Sequence, residues 1–313
     1  MKKMKKIKVL LASPRGFCAG VKRAIDMVDI ALNNSNSPIY VRHEIVHNKR
    51  VVNDLKKKGA IFVKELEEAP QGAKVIFSAH GVSKKVKQDA KKYRQLSIDA
   101  TCPLVSKVHQ QIKLYEKNGY QILLIGHKGH PEVDGIEGQV KQKIIIIEDE
   151  KQAKEINLKN TKKIAYVTQT TLSLNDTSEI IKILKKKFPS IIGPDLNDIC
   201  YATQNRQVAV TKLADMCDLV FVVGGENSSN TKRLAEIVKN KNIAVYRISG
   251  KEDINKSWLE DVNTLGITSG ASSPEILIKE ILDFLKAIYS LVEIEDLKGK
   301  KENITFKPLT KFS

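Results

Sequence analysis

The sequence predicts an α/β protein made of three similar α/β units with mostly parallel sheets, set in a pseudo-threefold trefoil around a common centre. Three observations predict it. Short β-rich apolar runs alternate with longer stretches of helical period, as parallel sheets with crossover helices require. The same order of elements restarts at Cys18, Cys102 and Cys200. Polar loops then recur at matched distances from each of these cysteines.

The strand-like runs are IKVLLA (7–12), PIYVR (38–42), KVIFSA (74–79), YQILLIG (120–126), KIIIIE (143–148), KIAYVT (163–168), DLVFVVG (218–224), IAVYRI (243–248) and NTLGITS (263–269). Each cysteine opens a helix: AGVKRAIDMVDIAL, PLVSKVHQQIKLYEKNG and YATQNRQVAVTKLADM. A first polar loop places His43, His127 and Gly224 at 25, 25 and 24 residues past their cysteines, and His47, His130 and Ser228 at 29, 28 and 28. A second polar loop, FSAHGVS, VTQTTLS or ITSGASS, places His80, Thr170 and Ser272 at 62, 68 and 72. Identity between the units is too low for a solenoid, so the repeat is one of element order. The predicted division is 1–98, 99–196 and 197–291. Residues 292–313 form a charged tail that returns to the first unit and holds one strand candidate, ITFKPL.

A chain of 313 residues buries a substantial core without a disulfide framework. Lys plus Arg exceed Asp plus Glu by 17, mostly as lysine dispersed in runs such as Lys84 to Lys92 without interleaved aromatics. That pattern is a solvated surface rather than a nucleic-acid footprint, part of which steers acidic ligands or an acidic electron donor. The opening MKKMKKIKVLLAS mimics a secretory signal, but its apolar run is short and broken by Lys8, so no export is expected and the chain is assigned to the cytoplasm. No uninterrupted apolar stretch reaches the roughly 18 residues that a membrane span needs.

With only four cysteines, metal or catalytic use is the better expectation. Cys217, in KLADMCDLV, reads as a small buried hydrophobe. Cys18, Cys102 and Cys200 lie among Gly, Pro, Arg, Asp and Asn, and all follow strand ends, where parallel sheets bind ligands. Three such thiolates suit an iron–sulfur cluster that keeps one iron without a protein sulfur.

HEIVH, from His43 to His47, matches a zinc-hydrolase pattern. That chemistry needs a helix, and this segment follows the strand PIYVR directly. A zinc hydrolase stays an alternative that iron and sulfide analysis decides. A basic nucleic-acid-binding protein with a structural or sensory cluster is the second, recognised by steep salt dependence.

His47, His80 and His130 read as donors to an anion, joined by Ser228, Ser229 and Asn230 at the start of TKRLAEIV and by Ser272 and Ser273 before Pro274. The bland reading of these serines is helix capping. Glu132, two residues past His130, is a candidate proton donor, and Thr170 and Thr171 relay that proton or hold a substrate hydroxyl. For Glu132 after Pro131, helix-start stabilisation is the competing role.

The phrases PRGFCAGVKRAI, VRHEIVHN, FSAHGVS, DATCPLVSKVH, GHKGHPEV, TQTTLS, DICYATQNRQ, GGENSSNT and GITSGASSPE together resemble the LytB-type iron–sulfur reductase family over nearly the whole chain. The resemblance implies a three-lobed α/β fold around a central 4Fe–4S cluster on Cys18, Cys102 and Cys200. It implies reductive removal of the C4 hydroxyl of (E)-4-hydroxy-3-methylbut-2-enyl diphosphate, giving isopentenyl and dimethylallyl diphosphate in the last step of the non-mevalonate (MEP) isoprenoid pathway. On that resemblance the substrate oxygen binds the open iron and Glu132 supplies the proton. His47, His80, His130, Ser228, Ser229, Asn230 and Ser272 hold the diphosphate, and Thr170 positions the hydroxyl. Thr203 and Asn205 line the pocket near Cys200, and His43 and His127 are further lining residues. Ferredoxin or flavodoxin is the implied electron donor.

Overall fold

The computed structural model describes residues 4–158 and 161–313, so the first three residues of the basic opening lie outside the described residues. In chain order the elements are β1 (Met4–Leu11), α1 (Ala19–Asn33), β2 (Ile39–Arg42), α2 (Lys49–Lys57), β3 (Ala60–Val63), β4 (Lys74–Phe77), α3 (Lys84–Lys92) and β5 (Leu96–Asp99). They continue as α4 (Pro103–Lys117), β6 (Gln121–Ile125), α5 (Pro131–Glu137), β7 (Ile145–Ile147), α6 (Glu150–Glu155), β8 (Ile164–Thr168) and α7 (Leu174–Lys187). The last are α8 (Tyr201–Ala214), β9 (Leu219–Val223), α9 (Ser229–Asn240), β10 (Ala244–Ile248), β11 (Thr264–Ser269), α10 (Glu275–Ile288) and β12 (Tyr289–Asp296).

Helices α1, α4 and α8 each begin on the residue after Cys18, Cys102 and Cys200. In α1 the buried residues Arg23, Ala24, Met27, Val28 and Ala31 recur at helical spacing. In α4 Cys102 is the N-cap and Pro103 the first helical residue, where its missing N–H costs nothing.

The strands form three parallel sheets, ordered β10-β9-β11-β1-β12, β3-β2-β4-β5 and β7-β6-β8, with Ile192 adding a parallel bridge beside β8. The described chain falls into two compact units. One takes residues up to Ala19, His47–Asn53 and Tyr201–Ile304, and it contains the five-stranded sheet. Successive residues of β9 serve opposite faces of that sheet, as the strand period demands. Leu219, Phe221 and Val223 pack towards α10 residues Leu277, Ile278, Ile281 and Leu285, while Val220 and Val222 pack towards Ala209, Val210 and Leu213 of α8 and Leu234 and Val238 of α9. Burial on both faces explains the unbroken apolar run. The other unit takes Gly20–Val46, Asp54–Cys200 and Thr305–Ser313, and it contains the two smaller sheets. Its α5 is fastened to the FSAHGVS loop by Gln139 Nε2, which donates to Val82 O at 2.8 Å, and by Lys84 N–H, which donates to Gly138 O at 2.9 Å.

One rule runs through all three sheets. The segment leading into a cysteine lies beside the strand that ends in the second polar loop: β5 beside β4, Ile192 beside β8, and β1 beside β11. Each cysteine N–H then donates to a carbonyl of that loop. Cys102 bonds to Ala79 O at 3.0 Å, Cys200 to Thr170 O at 3.1 Å and Cys18 to Ala271 O at 3.1 Å.

The rule corrects the expected partition at the N-terminus. Read by chain order, β1 belongs with residues up to 98; in the fold it joins the sheet of β9, β10 and β11. Its apolar residues Ile7, Val9, Leu10 and Leu11 are all buried and need neighbours on both edges, which β11 and β12 supply. The tail also differs from expectation. Its strand is β12, eight residues from Tyr289, whereas ITFKPL carries no regular structure. Beyond it, Ser313 and Ser97 exchange backbone hydrogen bonds at 2.9 and 3.1 Å. Among the described residues no helix is long and apolar enough to cross a membrane.

Candidate active site

Cys18, Cys102 and Cys200 are partly exposed at the starts of helices, where the positive dipole end favours an anionic ligand. Cys217 is buried, and burial pushes its thiol up to about 12. A thiol held protonated is a poor metal ligand, so Cys217 is core. The other three are soft donors of the kind an iron–sulfur cluster takes, in which each thiolate binds a different iron. Among the described residues no three His, Cys, Asp or Glu side chains gather tightly enough for one metal ion. HEIVH is not helical, and His43 adopts a left-handed φ of 60°. Its two imidazoles therefore do not share a helix face, and the zinc-hydrolase reading fails on geometry.

In the unit of the two smaller sheets, α5 carries Glu132 into the interior. His130 is its N-cap: Nδ1 accepts the Glu132 N–H at 3.1 Å. A neutral ring accepting at Nδ1 carries its proton on Nε2, which is thereby the donor end. The Glu132 carboxylate, 2% exposed, accepts the Thr170 N–H at 2.7 Å and the Thr170 hydroxyl at 3.0 Å. Burial pushes its pKa up to about 7, and the nearby Asp198 charge acts in the same direction, against the two hydrogen bonds. Such a carboxyl exchanges a proton near neutral pH. The rings of His80 and His130 meet edge to face with centroids 6.0 Å apart.

Gln169 was not singled out from the sequence. Fully buried, it accepts the His127 N–H at 3.1 Å and donates to Thr171 Oγ at 3.0 Å, so it ties the GHKGH loop to the TQTTLS loop. Its signal was there: an amide directly after a buried strand. Asp198 was also missed, and its carboxylate accepts the Thr168 N–H at 3.2 Å. His127 and His43 face other neighbours. The His127 ring faces Glu148, with Nδ1 3.9 Å from Oε1. His43 lines a side cavity of about 240 Å³ with Arg42, Glu65 and Asp134, whose wall includes none of Glu132, Thr170, His80 or His130.

In the unit of the five-stranded sheet, the strand ends of β9 and β11 carry a polar ledge. Ser228 caps α9 by accepting the Thr231 N–H at 3.3 Å, so the capping role is real. Ser272 Oγ donates to His47 O at 3.1 Å, and Ser273 Oγ to Val223 O at 2.9 Å. Asn230 is different. It is 4% exposed, and among the described residues neither its amide nitrogen nor its oxygen has a hydrogen-bond partner; Thr231, Thr268 and Ser269 hydroxyls share that condition. A buried amide without partners costs about 1–3 kcal/mol, which a bound ligand would recover. At Gly270 a Cβ would clash with Thr231 Oγ1, so the glycine leaves room for that buried hydroxyl beside Asn230. Ser229 is half-buried beside it and Thr203 is buried in α8, while Asn205 Nδ2 donates to Glu302 at 2.9 Å.

Comparison with known proteins gives one consistent result. The family model described as LytB protein matches residues 9–286. The chain is 51% identical to the 4-hydroxy-3-methylbut-2-enyl diphosphate reductase of Nitrosomonas europaea, covering 97% of each. It is 51% identical to the reductase of the same name from Histophilus somni, covering 96% of each. Among solved structures it is similar to the E-1-hydroxy-2-methyl-but-2-enyl-4-diphosphate reductase from Plasmodium falciparum. That match has a TM-score of 0.88 and 40% identity, and covers 95% of this chain and 94% of the other.

Proposed function

The chain belongs to the LytB protein family, and from that membership and its own residues we propose that it is an oxidoreductase removing the C4 hydroxyl of (E)-4-hydroxy-3-methylbut-2-enyl diphosphate. The products are isopentenyl and dimethylallyl diphosphate and water, at a cost of two electrons and protons. When bound to Cys18, Cys102 and Cys200, a 4Fe–4S cluster supplies the electrons and a Lewis-acidic iron. Every other part of the reaction is assigned to side chains.

Glu132 holds a proton and passes it to the departing hydroxyl, which leaves as water. A carboxyl with a pKa near 7 suits that role, because it is neither too weak to donate nor empty at working pH. Thr170 hydrogen-bonds that carboxyl and positions the hydroxyl end of the substrate, with Thr171 beside it. The donors to the diphosphate are Asn230, Ser228, Ser229 and Ser272, with His47, His80 and His130; Thr203 and Asn205 complete the pocket wall. His43 and His127 are assigned to its outer margin. Uncharged N–H and O–H donors suit an anion in a water-poor cavity, where each contact strengthens. We assign the reaction to the cytoplasm, with ferredoxin or flavodoxin as electron donor. The chain's net charge of +17 supports an acidic partner.

The observation that carries this reading is the Glu132–Thr170 pair: a fully buried carboxyl with two hydrogen bonds and a pKa of about 7. Anaerobic iron and sulfide analysis joined to a dithionite-driven assay with the diphosphate tests it. A brown protein that turns over the substrate is expected. Iron-free protein, or cluster-loaded protein inert towards the diphosphate, refutes it.

A further inference from the structure

A basic residue sits early in each helix that a cysteine opens. Arg23 follows Cys18 by five residues, Lys107 follows Cys102 by five and Arg206 follows Cys200 by six. Arg206 Nη1 also donates to Ala202 O at 2.9 Å on its own helix, and each of the three reaches the segment that leads into another cysteine. Arg23 Nη1 donates to Thr101 O at 3.1 Å, the carbonyl just before Cys102. Lys107 Nζ donates to Asn197 O at 3.3 Å, three residues before Cys200. Arg206 donates through Nη2 and Nε to Gly16 O at 2.8 and 3.2 Å, two residues before Cys18.

We infer that Arg23, Lys107 and Arg206 are positioning residues that each clamp the loop of the next cysteine in chain order, the third returning to the first. The inference takes its purpose from the proposal that these cysteines are cluster ligands. Its geometry stands without that proposal.

The clamps differ in strength for visible reasons. Arg206 has a side chain only 1% exposed, and Glu302 faces it with Oε1 3.0 Å from Nη1 while also accepting from Asn205. A planar guanidinium held at both edges has its fork fixed before it meets the Gly16 carbonyl. Arg23 is also buried, and its Nε donates to Lys307 O at 3.0 Å. Both arginines are thus braced by the C-terminal stretch after β12. Lys107 lies exposed, has no such brace among the hydrogen bonds described, and presents a rotatable ammonium in place of a fork. The tail that carries no regular structure therefore has a mechanical role, since it holds two of the three clamps.

Gly16 sits at φ 71°, and Arg15 grips the same loop through Ala12 O, Glu275 and Asp296. Once Glu302 loses its charge, Arg206 becomes a buried cation with only carbonyls around it, and the grip on Gly16 weakens first.

The test reads each cysteine separately. Full-length protein is stripped of iron by a chelator under nitrogen, pulsed with N-ethylmaleimide, and the labelling rate of Cys18, Cys102 and Cys200 is followed by peptide mass spectrometry. Arg206→Met and Glu302→Gln are expected to speed Cys18, Arg23→Met to speed Cys102, each at least roughly fivefold through easier local opening. Lys107→Met speeds Cys200 by less, and Lys107→Arg slows it. In every case the cysteine on the variant's own helix keeps its rate. Equal acceleration of all three cysteines, acceleration of the cysteine on the same helix, or no change overturns the inference. Should Arg206→Met fail to fold, the isosteric Glu302→Gln and the two Lys107 variants at the surface still decide it. Because the labelling needs neither cluster nor substrate, its failure is separable from failure of the proposed activity.

Discussion

Glu132 and Asn230 occupy the same place in the repeat, each 30 residues past its cysteine, yet the fold treats them in opposite ways. Glu132 is buried with its carboxylate engaged twice by Thr170, and the cost of burial appears as a pKa raised to about 7. Asn230 is buried with its amide engaged by nothing among the described residues. The equivalent residue of the first repeat, Asn48, does neither and accepts the Val51 N–H at 3.2 Å at the start of α2. One register position has thus become a buried carboxyl with a raised pKa, a buried amide without partners among the described residues, and a helix cap. On the proposed function the finished network manages a proton and the unfinished one awaits a ligand.

The largest expected effect breaks the finished side. Glu132→Gln keeps size and one acceptor but removes the titrating proton, so kcat should fall by about 10²–10⁴ with cluster content unchanged. Wild-type kcat should itself decline as pH rises through about 7, because the acid ionises. The same variant tests stability. Glu132 has a folded pKa above its ordinary 4.5, so the folded state binds more protons between pH 4.5 and 7, and stability falls as pH rises across that window. The fall is at most about 3 kcal/mol for such a shift. Denaturant melts at pH 5 and 7.5 should show it in the wild type and lose it in Glu132→Gln.

A smaller effect belongs to the unfinished side. Asn230→Leu removes the orphaned amide together with the donors proposed for the diphosphate. Hydrogen bonds to charged groups contribute about 1.5–3 kcal/mol, so KM should rise by roughly 10- to 100-fold. The melting temperature should hold or rise, because no native bond is lost. A drop in stability with unchanged KM would reverse the assignment and make Asn230 structural.

Smaller still is Thr170→Val, which deletes one of the two bonds to Glu132 and keeps the backbone one. The lost donor favoured the charged carboxylate, so the Glu132 pKa should move further up and carry the alkaline limb of the kcat profile with it. Stability should fall by about 1 kcal/mol.

Much of this was legible from residues alone, for reasons that can be named. The cysteines announce themselves because each stands in a polar context between a β-rich run and a helical one, and α1, α4 and α8 begin where that reading places them. Local chemistry also marks Pro131 and Glu132. Strands β3, β5 and β12 were missed because they are short or mixed in polarity, as the exposed residues of YSLVEIED on β12 illustrate. Partnership at a distance is harder. Nothing local tells β1 that its neighbour is β11, more than 250 residues away, or tells Arg206 which carboxylate will face it. Matched offsets do not carry backbone geometry: His43, at the same spacing as His127, turns through a left-handed φ of 60° and lines the side cavity.

The smallest effect asks whether every unpartnered buried polar atom marks a ligand. His109, on α4, is buried, and its Nε2 has no hydrogen-bond partner among the described residues. Unlike Asn230, it lies under the FSAHGVS loop: a Cβ on Gly81, at φ 89°, would stand 2.8 Å from His109 Cε1. The ring is therefore a spacer that sets the height of the loop carrying His80, and burial, helped by Lys113, holds its pKa down at about 4. Here the unfolded chain binds the extra proton, so stability rises with pH between about 4 and 6.5, opposite in sign to Glu132. His109→Leu removes the titration and keeps most of the volume. It should flatten that acid-side slope in melts at pH 4.5 and 6.5 and leave KM for the diphosphate within about twofold, since an uncharged spacer makes no differential contact with the ligand. A KM shift as large as that of Asn230→Leu would show that His109 also serves the ligand, and that the distinction between spacer and donor drawn from its position is wrong.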